Sequence, residues 1–390
     1  MSDWEHKTLG DLERESGGTI QTGPFGSQLH MSDYSETGTP VVMPTNIRNL
    51  RIDPTGIARV SDEHVDRLAR HKLRVGDIIY SRRGDVEKCA LITEIEAGWL
   101  CGTGCLLVRV QGANLDARFL AYLLSRPDKR AWISQHAVGA TMPNLNTGIL
   151  REVPVEIPDF GTQQAIAATL GALDDKIESN RRVVDQSLAV ARAHVDIVTG
   201  NRPTEPLAST IEVSMGAAFK GDKFAVPGVG RPLLRIRDLK TFESQIWTTE
   251  ERKDETVISP GDVVVGMDAE FRATLWLGHV SVLNQRVCSF RGTAGVGRAF
   301  ILASLEPELA FQESAKTGTT VIHLNKADIE MFRVPTLSVA EHAELAATTE
   351  PLIDLAVTRA LEARALVMLR DALLVELFSG RLRAASEAPA

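Results

Sequence analysis

The chain has 390 residues, enough for two domains with separate cores. Its 44% hydrophobic and 24% charged residues are ordinary for a globular protein, and a net charge of −8 excludes a broadly basic surface. Contact with a polyanion must therefore come from local clusters set against acidic surface. No apolar run reaches the roughly 20 residues of a membrane span. The polar opening Met1-Ser2-Asp3-Trp4 is unlike a signal peptide, so a cytoplasmic location without membrane contact is expected. Four cysteines argue against a disulfide framework. Cys101 and Cys105 lack companion ligands at zinc-like spacing and read as buried thiols in a strand.

Residues 1–160 read as a β-rich globular unit. Gly76-Asp77-Ile78-Ile79-Tyr80 and Cys105 to Val110 are its clearest strands, and Asp116 to Trp132 reads as one helix with Phe119, Leu120, Leu123 and Leu124 on one face. Residues 161–200 form a long amphipathic helix. Thr162-Gln163 starts it, Gly200 and Pro203 stop it, and Ile166, Leu170, Leu173, Ile177, Val184, Leu188, Ala191, Val195 and Val198 supply a coiled-coil-like stripe. Such a helix spans roughly 57 Å, more than one domain needs for its own core. Asn180 falls in the stripe, either as a buried polar residue that fixes register or as a solvent-facing one.

Residues 201–337 read as a second β-rich unit, with strands at Leu233 to Ile236 and Asp262 to Val265. Residues 338–390 hold a second long helix from Ser338 to Leu382. Leu345, Leu352, Leu355, Leu366, Leu369, Leu373 and Leu377 form its stripe, and Pro351 either kinks or restarts it. The expected fold class is α+β: two mixed α/β domains separated by a pair of long antiparallel coiled-coil helices, with an internal repeat. The competing arrangement packs each helix on its own domain; the length of the stripes favours the pair.

The repeat is visible in matched segments. Val195-Asp196-Ile197-Val198-Thr199-Gly200 answers Val375-Glu376-Leu377-Phe378-Ser379-Gly380, and Gly76-Asp77-Ile78 answers Gly261-Asp262-Val263. Leu145-Asn146 and Leu324-Asn325 follow matched Gly-x-Thr segments, and Val153-Pro154 answers Val334-Pro335. A period near 180 residues is too long for a solenoid.

No phosphate-binding loop, dinucleotide fingerprint, nucleophile elbow or zinc-protease motif is present. Asp238 with Glu251-Arg252-Lys253 has the spacing of a metal-dependent nuclease site, a pattern short enough to arise by chance. Polar loops are more suggestive, because Arg matches guanine O6/N7, Asn or Gln matches adenine N6/N7, and Asp matches cytosine N4. The first unit offers Ser27, Gln28, Asn46, Arg48, Arg82, Arg83, Lys88, Thr141 and Asn144 as candidate DNA contacts. The second offers Lys220, Lys223, Arg235, Arg237, Asp268, Arg272, Thr319 and Thr320.

Taken together, the chain resembles the specificity subunits of type I restriction–modification systems. The resemblance is carried by Trp4-x3-Lys7-x-Leu9-Gly-Asp-Leu12, Gly23-Pro-Phe-Gly-Ser-Gln-Leu29, Gly76-Asp-Ile-Ile79, Gly139-x-Thr141-x2-Asn144-Leu-Asn146 and Gln163-Gln-x-Ile166-x3-Leu170, together with the closing Leu373-Leu-x-Glu-Leu-Phe-Ser-Gly-Arg381. It implies a non-catalytic subunit with no cofactor of its own. Each of two target-recognition domains would read half of a bipartite double-stranded DNA site, and the helices would set the separation. Two methyltransferase subunits would bring S-adenosylmethionine, and the restriction–translocation subunits would bring ATP. Ser214-Met-Gly-Ala-Ala-Phe-Lys220 departs from the Gly-Pro-Phe-Gly-Ser pattern, and Val339-Ala-Glu341-His342 lacks the Gln pair. A related system with a fused methyltransferase–nuclease partner, a catalytic nuclease or methyltransferase, and a scaffold without DNA contact are the alternatives.

Overall fold

The computed structural model describes residues 4–26, 28–48, 50–110, 112, 114–139, 142–268, 270–293, 295–315 and 322–382. The chain divides into two compact units, residues 1–175 with 367–390, and residues 176–366. Both division points fall inside a 40-residue helix, so each unit takes one end of each long helix and cuts across segments 161–200 and 338–390.

In unit 1, β1 (Glu5–Thr8) leads into α1 (Leu9–Ser16) and β2 (Thr19–Thr22). Next come β3 (Tyr34–Ser35), β4 (Thr39–Val42), β5 (Ile47–Arg48), β6 (Arg51–Ile52), β7 (Ala58–Val60) and α2 (Asp62–Arg67). Strands β8 (Ile78–Ser81), β9 (Cys89–Leu91), β10 (Leu100–Cys101) and β11 (Cys105–Arg109) follow. Helices α3 (Ala117–Ser125), α4 (Pro127–His136) and α5 (Thr147–Arg151) and strand β12 (Pro154–Ile157) precede α6 (Phe160–Thr199).

In unit 2, β13 (Thr204–Pro206), β14 (Ile211–Met215), β15 (Phe224–Ala225), β16 (Arg231–Leu234) and β17 (Ile246–Thr248) are followed by β18 (Val257–Ile258), β19 (Val263–Gly266), β20 (Ala273–Leu275), β21 (Ser281–Leu283) and β22 (Val287–Gly292). Then come α7 (Arg298–Ala315), α8 (Lys326–Glu330), β23 (Arg333–Pro335) and α9 (Val339–Phe378).

The fold is mixed α/β, and the strand orders of the two units correspond. The main sheets run β2-β11-β8-β9 and β14-β22-β19-β20, all antiparallel. The second sheets run β10-β4-β7-β3 and β18-β21-β16-β17-β15, each with one parallel pair, β4 with β10 and β16 with β21. A short ladder closes each unit, β1 with β12 and β13 with β23. All four residues of β8 and of β19 are buried, so these strands read as continuous apolar runs rather than alternating ones.

The Gly-Asp repeat has a specific physical basis. Gly76 and Gly261 adopt φ 88 and 94, a left-handed backbone that favours glycine. The Gly76 amide donates to the Ile92 carbonyl (2.9 Å) and that of Gly261 to the Trp276 carbonyl (2.7 Å). The returning amides of Ile92 and Trp276 donate to Asp77 and Asp262 carbonyls, both at 2.8 Å. Each aspartate side chain then accepts the amide three residues upstream, from Arg74 and Ser259, both at 2.8 Å. Asp77 is fully buried and takes Arg109 Nε at 2.8 Å and Nη2 at 2.6 Å. Arg291 stands 4.0 Å from Asp262, on a more exposed surface.

The helix starts are fixed differently. Gln163, 1% exposed, accepts the Asp116 amide (3.0 Å) and donates to the carbonyls of Asn114 (3.1 Å) and Pro158 (2.9 Å). At α9, where no Gln pair stands, Glu341 accepts the amide and hydroxyl of Ser338, both at 2.8 Å, and pairs with Arg202. These bonds, the Ser338 amide foremost, hold its carboxyl down at about 2. In the unit 1 core, Phe378 stacks on Phe119 with ring centroids 5.2 Å apart, and Trp4 meets both edge-on. In unit 2, Ala191 and Val195 join Phe300, Leu345 and Ile353.

Several expectations need correction. The helix expected over Asp116–Trp132 is two, because Pro127 drives Arg126 to an extended ψ of 144. The strand expected to reach Ile236 ends at Leu234, where a 3-10 turn begins two residues on. Pro351 neither restarts nor interrupts α9. Leu355 and Leu369 are exposed, whereas Leu345 and Leu377 are buried as expected; the seam of α9 also takes in Thr349, Ile353, Ala356 and Ala363. Asn180 is buried, with Nδ2 lacking a hydrogen-bond partner among the described residues, so the solvent-facing placement does not hold. All four cysteines are free and buried, and burial pushes the thiols of Cys89, Cys101 and Cys288 up to about 12. No helix among the described residues is long and apolar enough to cross a membrane.

The two Gly-Asp turns predict unequal stability losses. Asp77→Ala strands the Arg109 charge in a buried site and costs about 3 kcal/mol or more. Asp262→Ala loses mainly a backbone cap and costs about 1 kcal/mol. Urea unfolding of the two variants checks this, and equal losses contradict it.

Candidate nucleic-acid interface

Beyond β8 the chain is clamped before it reaches the surface. The Arg82 amide donates to the Gly104 carbonyl (2.8 Å), and the Arg82 carbonyl accepts the Leu145 amide (2.8 Å). The Ser81 hydroxyl donates to the Arg83 carbonyl at 2.9 Å. This rigid exit carries Arg83, exposed and without an ion pair among the described residues, to the lip of a cleft of about 980 Å³. Arg48, Lys88, Arg130 and Arg370 also line the cleft, against the carboxylates Asp85, Glu87 and Asp371, so cations prevail. Arg48 stands 3.3 Å from Asp53, and Arg130 3.7 Å from Glu87. Exposed pairs of this kind contribute under about 1 kcal/mol and can be exchanged for a phosphate. The cleft floor is firmer: Asp174 accepts the Tyr122 hydroxyl and Arg370 Nη1 at 2.7 Å. Burial, then the charge of Asp174, raises the Tyr122 phenol above its ordinary range, so it remains a donor.

The structure gathers Arg48, Arg83 and Lys88 around this cleft. Gln28 sits in a turn, its Oε1 accepting the Phe25 amide at 3.1 Å. Asn46 is buried, bonded to the Met43 amide (3.0 Å) and the Asp53 carbonyl (2.9 Å), so its amide braces the loop that carries Arg48. Arg82 keeps its Nε buried without a hydrogen-bond partner among the described residues, as does Arg235 in unit 2. Asn144 is half-buried and bridges Arg83 and Val138 through its backbone. Ser27, Thr141, Thr319 and Thr320 lie outside the described residues.

Unit 2 does not collect its candidates into one cleft among the described residues. Lys220, Lys223, Arg237 and Arg272 are exposed and make no ion pair among them. Arg272 borders a groove of about 650 Å³ whose walls are largely apolar, including Leu188, Leu302, Leu309 and Ile353. Asp268 takes His323 Nδ1 at 2.6 Å and lies 3.7 Å from Arg286. Asp238, of the nuclease-like spacing, is fully buried and accepts the Arg235 amide at 2.9 Å, bracing a turn as Asn46 does. Burial raises its carboxyl above the usual range, opposed by that amide. No group of three or more His, Cys, Asp or Glu among the described residues could hold a metal ion.

Sequence reasoning missed Arg130, Arg370 and His323. Arg130 lies on a helix without a local signal, and Arg370 comes from the far end of the chain. His323 stands one residue before Leu324, and only the fold shows that it meets Asp268.

Residues 1–186 match the family model described as "Type I restriction modification DNA specificity domain". The type I restriction enzyme EcoBI specificity subunit of Escherichia coli is 29% identical over 146 residues, covering 37% of this chain and 31% of that one. The putative type I restriction enzyme MjaX specificity subunit of Methanocaldococcus jannaschii is 19% identical over 420 residues, covering 98% and 94%. The crystal structure of a type I restriction–modification S subunit from M. genitalium shares the fold, with a TM-score of 0.63 at 14% identity over 96% of each chain. Over residues 1–186 the chain is thus similar to the DNA specificity domain of type I restriction–modification systems, and along its length it shares the fold of an S subunit.

Proposed function

We propose that this chain is a non-catalytic, cytoplasmic subunit that reads a bipartite double-stranded DNA site, one half per unit, and recruits two methyltransferase subunits, with restriction–translocation subunits joining the full complex. Residues 1–160 and 201–337 act as the recognition domains, and 161–200 and 338–390 as spacer helices paired antiparallel about a pseudo-two-fold axis. The carrying observation is that two units with corresponding strand orders present different polar residues at corresponding loops. Duplicated scaffolds with different tips suit a target with two unlike halves.

The cation-rich cleft supports phosphate contact in unit 1. Antiparallel pairing is supported within unit 1 by Asp174 with Arg370 (2.7 Å) and within unit 2 by Lys176 with Glu362 (3.5 Å). Each long helix also keeps exposed apolar residues one heptad apart, Val190 (47%) and Ile197 (80%) on α6, Met368 (64%) and Val375 (46%) on α9. Such faces suit docking of another subunit.

Two outcomes follow for the chain assembled with its methyltransferase. Arg48→Ala, Lys88→Ala and Arg130→Ala each weaken binding alike across sequences and lower the salt-dependence slope by about one. Titration of duplex DNA at several salt concentrations measures this, and an unchanged slope in the triple variant contradicts the cleft. Inserting one helical turn after Asn180 changes the spacing tolerated between half-sites in binding selections; an unchanged spacing contradicts the helices as ruler.

A further inference from the structure

Arg83 and Asn144 are joined by an isolated antiparallel bridge in unit 1, and Asp268 and His323 by one in unit 2. The bridges occupy equivalent places. Each first partner leaves the main sheet just beyond its inner strand, β8 or β19, two residues after the last buried position of the strand. Each second partner stands one residue before a fully buried leucine, Leu145 or Leu324. The amides of these leucines close the junction on the carbonyls of Arg82 and Met267, both at 2.8 Å. The next residue, Asn146 or Asn325, caps the short helix α5 or α8 through its side chain.

A buried leucine, a backbone clamp and an asparagine cap thus recur at the junction in the two units. The bridged pair differs in chemistry. Unit 1 presents a guanidinium beside an asparagine whose Oδ1 is buried. Unit 2 presents a carboxylate that accepts Nδ1–H of a half-exposed imidazole at 2.6 Å. A fixed backbone bearing interchangeable donors and acceptors is what base discrimination requires, because register is set by the backbone and identity by the tip.

We propose that the bridged pair is the base-discriminating element of each unit: Arg83 with Asn144 for one half-site, Asp268 with His323 for the other. Arg83 supplies donors suited to guanine O6/N7, and Asn144, its Oδ1 buried, holds Arg83 in place through the backbone bridge. The Asp268–His323 pair substitutes an oriented acceptor-bearing group, so the two halves are read by opposite chemistry. Asp268 is then a positioning residue for the His323 ring as well as a contact. This inference rests on the chain reading DNA as proposed above.

The test uses the full chain co-expressed with its methyltransferase, with methylated positions in host DNA mapped by long-read sequencing. Arg83→Asp with Asn144→His is expected to change or relax one base pair in one half-site, leaving the other half and the spacing intact. Asp268→Arg with His323→Asn is expected to do the same in the opposite half. Should an exchange fail to assemble, the alanine variants Arg83→Ala and His323→Ala keep the backbone bridge, and each is expected to lose roughly tenfold or more in discrimination at one position. An unchanged methylated sequence at full level overturns the inference while leaving DNA reading intact. Loss of all methylation by assembled alanine variants assigns the pair to structure and overturns it too. An unaltered complex that methylates without sequence preference instead sinks the wider reading.

Discussion

Asp77 carries a charge with no exposure to solvent, and the arrangement of unit 1 follows from how that charge is satisfied. Arg109 approaches it from the neighbouring strand, the Arg74 amide from the turn, and the returning Ile92 amide fixes its carbonyl. These bonds set the register of β8 against both β11 and β9. A slip of one residue would turn every side chain of the strand to the opposite face and unpair the buried carboxylate. The strand therefore delivers Arg82 and Arg83 to one place at the sheet end. Unit 2 repeats the entry with Asp262 and the exit with Met267 and Asp268.

The same framework carries unlike surfaces. Beside β9 in unit 1 lies a polar cleft with more cations than carboxylates, and beside β20 in unit 2 an apolar groove. The helices that form these walls share a proline but not its effect. Pro127 separates α3 from α4, whereas Pro307 is carried inside the continuous α7. Burial fixes the sheet and the helix seams in both units, so divergence concentrates where side chains face outward.

Much of the fold was legible in the sequence because its signals were periodic or conformationally demanding. The heptad-like stripe of α6 matched the buried Ile166, Leu170, Ile177, Ala191 and Val195. The paired Gly-Asp motifs marked turns that require positive φ, and the paired leucine–asparagine motifs marked helix caps. The stripe of α9 was read less well, since counting leucines overlooked the small residues Ala356, Ala363 and Thr349 that form much of its seam. Pro127 ends one helix whereas Pro351 is carried inside another, so the presence of a proline alone did not decide the outcome.

The interface was less legible than the fold. Asn46 carries a base-reading side chain by type, yet its amide is wholly engaged with its own loop. Arg370 reaches the unit 1 cleft through more than half the chain length, beyond any local pattern. We propose that one duplicated scaffold carries two different specificities. Mapping the bases methylated by the unaltered chain with its methyltransferase tests it most directly. Two unlike half-sites separated by a fixed gap of unspecified bases are expected; a continuous site, or two identical half-sites, contradicts a scaffold with two specificities.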